Sequence, residues 1–175
     1  MTTAYATSPI KGLTFGRAEA ADGAELWRIA RGTAELDLNS PYTYLLWCRD
    51  FADTTTVARD ASGRPVGFVT GYLRPGAPRT LFVWQVAVED SHRGSGVAGA
   101  LLDALSARVA QEHGLSLVEA TVTPGNVASD RLFRSYARRH GAAVTREVLF
   151  PSAAFPPADV PHEPEVLYRI ASPAL

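Results

Sequence analysis

Three closely spaced glycines follow an apolar run in the middle of the chain, where residues 81–102 read LFVWQVAVEDSHRGSGVAGALL. A turn with so few side chains exposes successive backbone N–H groups at the start of a helix. These groups and the helix dipole attract an anion. Glycine lets the backbone approach the anion, the small Ala98 leaves room, and Arg93 can add a charge-assisted contact. The stretch therefore predicts a pyrophosphate site, for a dinucleotide or for coenzyme A.

The dinucleotide interpretation uses the same glycines. Gly94, Gly96 and Gly99 satisfy the pattern G-x-G-x-x-G, and an acid that could bind ribose, Glu119, follows about twenty residues later. Against this interpretation, the residues EDSHR separate Val88 from the first glycine, and Glu119 lies inside a strand pattern. The second βαβ half of a dinucleotide fold is also missing. Coenzyme A is therefore the favoured ligand, and a tight turn without a ligand is the remaining alternative.

Length and charge exclude several classes of protein. The chain has 175 residues, enough for one domain with a sizeable core. We expect that domain over residues 13–171, between tails at 1–12 and 172–175. A net charge of −1 gives no basic field for nucleic acid. No apolar run reaches the roughly 18–20 residues of a membrane span, and the start lacks the apolar core of a signal peptide, so we expect a cytoplasmic protein.

Cysteine and histidine usage argues against a metal centre. Cys48 is the single cysteine and lies in YTYLLWCRDF, a predicted helix, where a buried structural thiol is expected rather than a nucleophile. The four histidines are scattered without ligand spacing. We therefore expect no metal.

The order of predicted elements gives the fold class. A strand at 13–18 precedes two helices, and the second helix has Ser40 as N-cap and Pro41 in its first position. Three antiparallel strands, a helix, a strand, a helix and two final strands follow. The third of the antiparallel strands, TLFVWQVAV, is apolar throughout and is expected to be buried on both faces. This order predicts an α+β fold, a mixed sheet with helices on both faces.

The glycine turn and this order together resemble the GCN5-related N-acetyltransferases, whose signature Q/R-x-x-G-x-G/A follows an interior strand. The resemblance covers residues 13–171 and implies acetyl-CoA held between two splayed strands, WQVAV and VEATV. Backbone groups of β-strand residues would hold the pantetheine arm, the glycine turn would bind the pyrophosphate, and an asparagine before the last major helix completes the pattern. The implied coenzyme site consists of Val86, Val88, Arg93, Gly94, Ser95, Gly96, Val97, Ala98 and Asn126.

The chain departs from the family pattern at one position. Many members carry a tyrosine seven residues after the asparagine, where it protonates the leaving thiolate, and here that position is Phe133. Tyr136 lies one helical turn later and points differently, so the role does not transfer to it. Either another group or a water protonates the thiolate.

A narrower resemblance concerns the acyl acceptor. The segments LDLNSPYTYLLWC, GFVTGY, TLFVWQVAV, TPGNVAS and HEPEVLYRI resemble the branch of the family that acetylates the γ-amine of L-2,4-diaminobutyrate on the route to the compatible solute ectoine. The resemblance also implies a homodimer. Another small amine, a peptide N-terminus, or coenzyme A binding without catalysis remain alternatives.

Diaminobutyrate carries two ammonium groups and one carboxylate, so its pocket should present acids. The candidates are Asp37, Glu163 and Glu165, with Glu165 nearest the reacting amine and Asp37 on the other ammonium. His162 could orient a carboxylate or a water. Tyr42, Tyr44 and Trp84 would form the walls, with the indole face near a cation. On the residues alone, Asp37 could instead cap a helix and the aromatic residues could belong to the core or surface.

The expected mechanism is direct attack of the amine in a ternary complex. An alkyl ammonium has a pKa of about 10 and must lose a proton first, to Glu165 or to a water that it holds. A backbone N–H on a bulged central strand near Val86 would polarise the thioester carbonyl. Because Cys48 lies in a helix, no acetyl-enzyme is expected.

Overall fold

The protein, described by a computed structural model over residues 10–34 and 36–171, is built on one seven-stranded sheet. The strand order is β1-β2-β3-β4-β5-β7-β6, and only β4 and β5 pair in parallel. Most of the predicted N-terminal tail and all of the C-terminal tail lie outside the described residues, so the domain boundaries stay predictions. The strands are β1 Thr14–Arg17, β2 Thr55–Arg59, β3 Pro65–Arg74, β4 Ala77–Val88, β5 Leu117–Val122, β6 Ala143–Phe150 and β7 Glu165–Ala171.

Local sequence signals start and stop the helices. The helix after β1 is α1, and the Ser40 hydroxyl accepts a hydrogen bond from the Thr43 N–H to start α2. Asn126 Oδ1 accepts from the Ser129 N–H at 3.0 Å to start α4, and Gly114 ends α3 in a left-handed conformation. The helices are α1 Gly23–Arg31, α2 Pro41–Asp50, α3 Val97–His113 and α4 Val127–Arg139.

Helices cover both faces of the sheet, as predicted. On one face, Leu26 and Ile29 of α1 pack with Val57 and Phe68 of the central strands. On the other face, the apolar stripe of α3 packs against the sheet, and α4 lies beside it. The expected mixed sheet is confirmed. The buried stripe of α3 is Val97, Leu101, Leu102, Leu105 and Val109.

Strands β4 and β5 separate after a short parallel contact. They pair only from Thr80 to Val83 on β4, while β4 continues to Val88. Opposite β3, Thr70 faces Gln85 and Gly71 faces Val83, so Trp84 is an extra residue that bulges out of β4. The predicted splay is confirmed, and it opens the sheet where the ligands were expected.

Two expectations for β4 are wrong. The strand begins at Ala77 and not at the predicted Thr80, because Ala77 already pairs with Arg74 across a tight turn. The strand is also not buried on both faces, since Trp84 and Val86 stay partly exposed where they line cavities beside the splay.

Candidate active site

The glycine turn forms an open backbone cradle at the start of α3. Gly94 and Gly96 have φ values of +74° and +85°, which only glycine adopts without strain, and Gly96 is the N-cap of α3. No atom lies within 4 Å of the position that a Cβ would take at either glycine. The cradle therefore combines free space with the unpaired N–H groups of a first helical turn, as an anion site requires.

The Arg93 side chain stabilises this turn through contacts with the end of β4 and with Asp90. Its Nε donates to the Val88 carbonyl at 3.1 Å, and it also pairs with Asp90. A further contact at 3.3 Å reaches the Thr33 hydroxyl on the α1 side. Arg93 lines the cavity at the cradle, but these bonds hold its guanidinium to the end of β4.

A cavity of about 700 Å³ runs from the cradle along the open side of β4 to α4. Its volume lies in the usual range for small-molecule sites. Arg131 and Arg139 lie at the α4 wall. All nine residues expected at the coenzyme site line this first cavity: Val86, Val88, Arg93, Gly94, Ser95, Gly96, Val97, Ala98 and Asn126.

A second cavity of about 400 Å³ lies on the other side of the splay. The loop before α2 contributes Asp37, the loop before β7 contributes His162 and Glu163, and Glu165 is the first residue of β7, so segments far apart in sequence meet here. His162 Nε2 lies 3.6 Å from an Asp37 oxygen and 4.0 Å from a Glu165 oxygen. Trp84 forms part of the wall. Two carboxylates of this cavity thus lie near the His162 imidazole, while the third acid, Glu163, accepts a hydrogen bond from the Gly125 N–H.

The His162 imidazole is held by its neighbours. Its Nδ1 donates to the Glu163 carbonyl at 2.6 Å, and its ring stacks on Phe155 at 3.9 Å. This backbone hydrogen bond, followed by the bond to Asp37 and the charges of Asp37 and Glu165, raises the pKa of His162 above its ordinary value.

The two cavities meet at a junction, which consists of the four residues that line both: Leu36, Val86, Asn126 and Ser129. A ligand in the first cavity and a ligand in the second would therefore meet beside these four residues. Such an arrangement suits the transfer of a group from one bound molecule to another.

A buried hydrogen-bond chain supports the second cavity. The Tyr44 hydroxyl donates to Gln85 Oε1 at 3.0 Å, and Gln85 Nε2 donates to the Asp37 carbonyl at 3.0 Å. The Trp84 ring lies 4.4 Å from that of Trp47 on α2. Strand β4 thus positions the loop that carries Asp37.

Comparison with known proteins decides the family. The sequence profile of the acetyltransferase (GNAT) family matches residues 23–137. The chain belongs to the GNAT acetyltransferase family. The L-2,4-diaminobutyric acid acetyltransferase of Streptomyces avermitilis is 60% identical to this GNAT chain over 91% of the chain and 88% of the relative. The corresponding protein of Marinococcus halophilus is 41% identical over 92% of this chain and 91% of its own length.

A solved GNAT structure is also similar. The diaminobutyrate acetyltransferase of Paenibacillus lautus, in complex with L-2,4-diaminobutyric acid and coenzyme A, superimposes with a TM-score of 0.84 at 42% identity. The match covers 91% of this chain and 94% of that one.

Within this GNAT fold, the structure brings together most of the predicted acceptor residues. Asp37, Trp84, His162 and Glu165 all line the second cavity. Their roles stay predictions.

Tyr42 and Tyr44, which were predicted to form walls of the acceptor pocket, line neither cavity. The Tyr44 hydroxyl is bonded to Gln85 in the core, where the side chain is only 1% exposed. Tyr42 is 66% exposed and lines neither cavity, because it lies on the outer face of α2. Tyr44 therefore supports the site through Gln85 instead of contacting a ligand.

At the position of the family tyrosine, the Phe133 ring lines the second cavity and has no proton to give. Tyr136 lies in the core and lines neither cavity, and burial raises the pKa of its hydroxyl, in agreement with the expectation that it does not take over the role. The sequence interpretation missed Ser129, although its spacing of three from Asn126 places it on the same side of α4.

Other sequence candidates belong to the core. Cys48 is buried, and burial, together with the charge of Asp22, raises its pKa to about 12, so it is a structural thiol. The Glu119 carboxylate is paired with Arg74 and Arg169, so it does not serve as the ribose-binding acid of a dinucleotide site. Across residues 10–34 and 36–171, no three His, Cys, Asp or Glu side chains are grouped to hold a metal ion, and no helix could span a membrane.

Proposed function

We propose that this chain transfers the acetyl group of acetyl-CoA to the γ-amino group of L-2,4-diaminobutyrate. The observation that carries the proposal is the junction, where an anion-binding cavity and an acid-lined cavity share four residues. The relatives that are named for this reaction, and the Paenibacillus lautus complex with the same acceptor and coenzyme A, support it.

The acyl donor would lie in the first cavity. The cradle of Gly94 and Gly96 would bind the pyrophosphate through backbone N–H groups. The open edge of β4 at Val86 and Val88 would hydrogen-bond the pantetheine arm, which takes the place of a β5 neighbour beyond the splay. Asn126 would close the far side of the arm. With the coenzyme bound in this way, the thioester would lie at the junction.

The acceptor would lie in the second cavity, where its two ammonium groups meet acids. Glu165 is 20% exposed and would hold the reacting γ-amine, while Asp37 is 94% exposed and would bind the other ammonium at the mouth. The indole of Trp84 would cover the ligand and attract its cationic end. His162 lies between the two acids and would orient a water or the substrate carboxylate.

The reaction would proceed by direct attack. Glu165, directly or through a water, accepts a proton from the γ-ammonium, and the neutral amine attacks the thioester carbon. A backbone N–H near Val86, beside the bulge at Trp84, would stabilise the oxyanion. No acetyl-enzyme forms, because the Cys48 thiol is buried away from both cavities.

The cellular role follows from the product. N-γ-acetyl-diaminobutyrate would be an intermediate of ectoine biosynthesis, so the enzyme would act in the response to osmotic stress. It would work in the cytoplasm, where acetyl-CoA is available.

We also propose a homodimer. Strand β6 is the edge of the sheet, and it exposes Val148, Leu149 and Phe150, which are 57%, 39% and 49% accessible. An apolar exposed edge strand is an aggregation risk unless another chain covers it. Light scattering should give twice the chain mass, and Val148→Lys should shift it to the monomer. A wild-type monomer would contradict the proposal.

The test of the reaction is thiol release from acetyl-CoA with diaminobutyrate, ornithine, lysine and a peptide, followed by NMR of the product. We expect diaminobutyrate to react fastest and to carry acetyl on the γ-nitrogen. Glu165→Gln should lower kcat/KM about 100-fold or more, because it removes the proton acceptor. A different preferred amine would refute the acceptor, and coenzyme A binding without turnover of any amine would refute the reaction.

A further inference from the structure

The junction contains one side chain with a transferable proton. Leu36 and Val86 are apolar, and Asn126 already uses its Oδ1 to accept the Ser129 N–H. Ser129 lines both cavities, and its hydroxyl has no hydrogen-bond partner within the part of the chain that the structure describes. A free hydroxyl therefore lies where the two ligands would meet.

The chemistry at the junction leaves one proton to be moved after the attack. When the neutral amine adds to the thioester, the nitrogen becomes positively charged and must lose a proton. When the C–S bond breaks, its electron pair goes to sulfur, which must gain one. Glu165 and His162 line only the second cavity, away from the sulfur, and Ser95 and Ser135 line only the first.

We propose that Ser129 is a catalytic residue that relays this proton from the reacting amine to the departing sulfur. The C–N bond forms and the C–S bond breaks, the N–H proton passes to Ser129 Oγ, and the proton of Oγ passes to sulfur. The hydroxyl ends as it began, so no alkoxide accumulates and no further acid is needed. The inference rests on the proposed function.

The helix that carries Ser129 supports the assignment. Phe133 lies one turn further along α4 and lines the second cavity, so the two residues share a face. Its ring fills that wall without offering a proton, and Tyr136 is turned into the core. On this face of α4, the hydroxyl at position 129 is the proton donor that both cavities share.

The first test compares Ser129→Ala with Ser129→Thr. We expect Ser129→Ala to lower kcat about 100-fold, the usual size of a lost proton transfer, while KM for both substrates changes less than about threefold. Ser129→Thr keeps a hydroxyl and should retain most of kcat. Ser116→Ala, in the exposed loop between α3 and β5 and outside both cavities, is the control and should behave as wild type.

A second test needs no turnover. In the complex with coenzyme A, a hydroxyl that donates to sulfur favours the thiolate, so Ser129→Ala should move the ultraviolet titration of the bound thiol to higher pH than in wild type. Calorimetry should give both proteins the same affinity for acetyl-CoA, which shows that the variant is folded.

The outcomes separate this inference from the proposed function. A wild type that does not acetylate diaminobutyrate refutes the proposed function. A wild type that does, together with an unchanged kcat in Ser129→Ala, or an unchanged thiol titration, overturns the relay alone.

Discussion

At the scale of single residues, the side chains of the site differ in their contact with solvent, and this difference separates their roles. Glu165 is largely shielded, so its charge acts strongly on a bound cation, whereas the exposed Asp37 is screened by water. His162 lies 3.6 Å from an Asp37 oxygen and 4.0 Å from a Glu165 oxygen, so a protonated imidazole would offset part of the negative charge that a ligand meets there.

The binding of diaminobutyrate should depend on the protonation of His162. The substrate has a net charge of +1, so a protonated imidazole repels it and neutralises the acids that bind it. Because the pKa of His162 is raised, the imidazole stays protonated to higher pH than usual. We expect the dissociation constant to rise as pH falls, with a midpoint above the ordinary value of about 6.5.

Calorimetry across pH would measure this midpoint. His162→Asn should remove it, and His113→Asn, at the end of α3 and outside both cavities, should leave it unchanged. Tighter binding on acidification would contradict the assignment.

Cys48 should be dispensable for turnover. Its thiol is buried and its pKa is raised to about 12, so it is neither accessible nor ionised near neutral pH. Cys48→Ala should lower stability by about 1 kcal/mol through lost packing and leave kcat within about twofold. Steady-state kinetics and urea unfolding test this, and a folded variant without activity would argue for an acetyl-enzyme after all.

At the scale of elements, the cradle at the start of α3 is a backbone site. We expect Gly96→Ala to strain the turn by about 1–2 kcal/mol, because alanine at positive φ is unfavourable, and to weaken coenzyme A binding about tenfold. Gly63→Ala is a matched control, since Gly63 has a φ of +84° and open space around it in the β2–β3 turn.

Both variants should lose similar stability in urea, but only Gly96→Ala should lose affinity in calorimetry. Equal affinity in the two would show that the cradle does not bind the coenzyme.

The sequence predicted elements better than it predicted the acceptor pocket, for a physical reason. Helix caps such as Ser40 and the stripe of α3 depend on neighbours within a few residues, so local spacing reveals them. Apart from Asn126 at the start of α4, the coenzyme residues follow one another along β4 and the turn. In contrast, Tyr44 was misplaced because only the packing of α2 on β4 decides that its hydroxyl meets Gln85.

Ser129 was missed for a related reason. Its importance arises from the meeting of two cavities, and that meeting is a property of the splay and not of any short segment.

At the scale of the whole molecule, the sheet consists of two halves, β1–β4 and β5–β7–β6, joined by the short parallel contact. Glu119 on β5 reinforces this joint. It is buried and bonds Arg74 on β3 and Arg169 on β7, each at 3.0 Å, so it spans the boundary between the halves.

Glu119→Gln should therefore destabilise the fold. We expect a loss of about 1–3 kcal/mol in urea unfolding, toward the lower end because both arginines are partly exposed to water. Glu147→Gln, an exposed partner of Arg169, is the control and should cost less than about 0.5 kcal/mol. Equal losses would show that the joint does not depend on Glu119.

The two cavities also differ in what they are made of. On the donor side of the splay, the coenzyme would be bound chiefly by main-chain groups of β4 and of the cradle, whose turn needs glycine at positions 94 and 96. The acceptor side depends on side chains from the loops before α2 and β7. Substitutions in those loops can therefore change which amine is accepted while the thioester keeps its position. This architecture makes new amine specificities accessible to evolution or design without changes to the sheet.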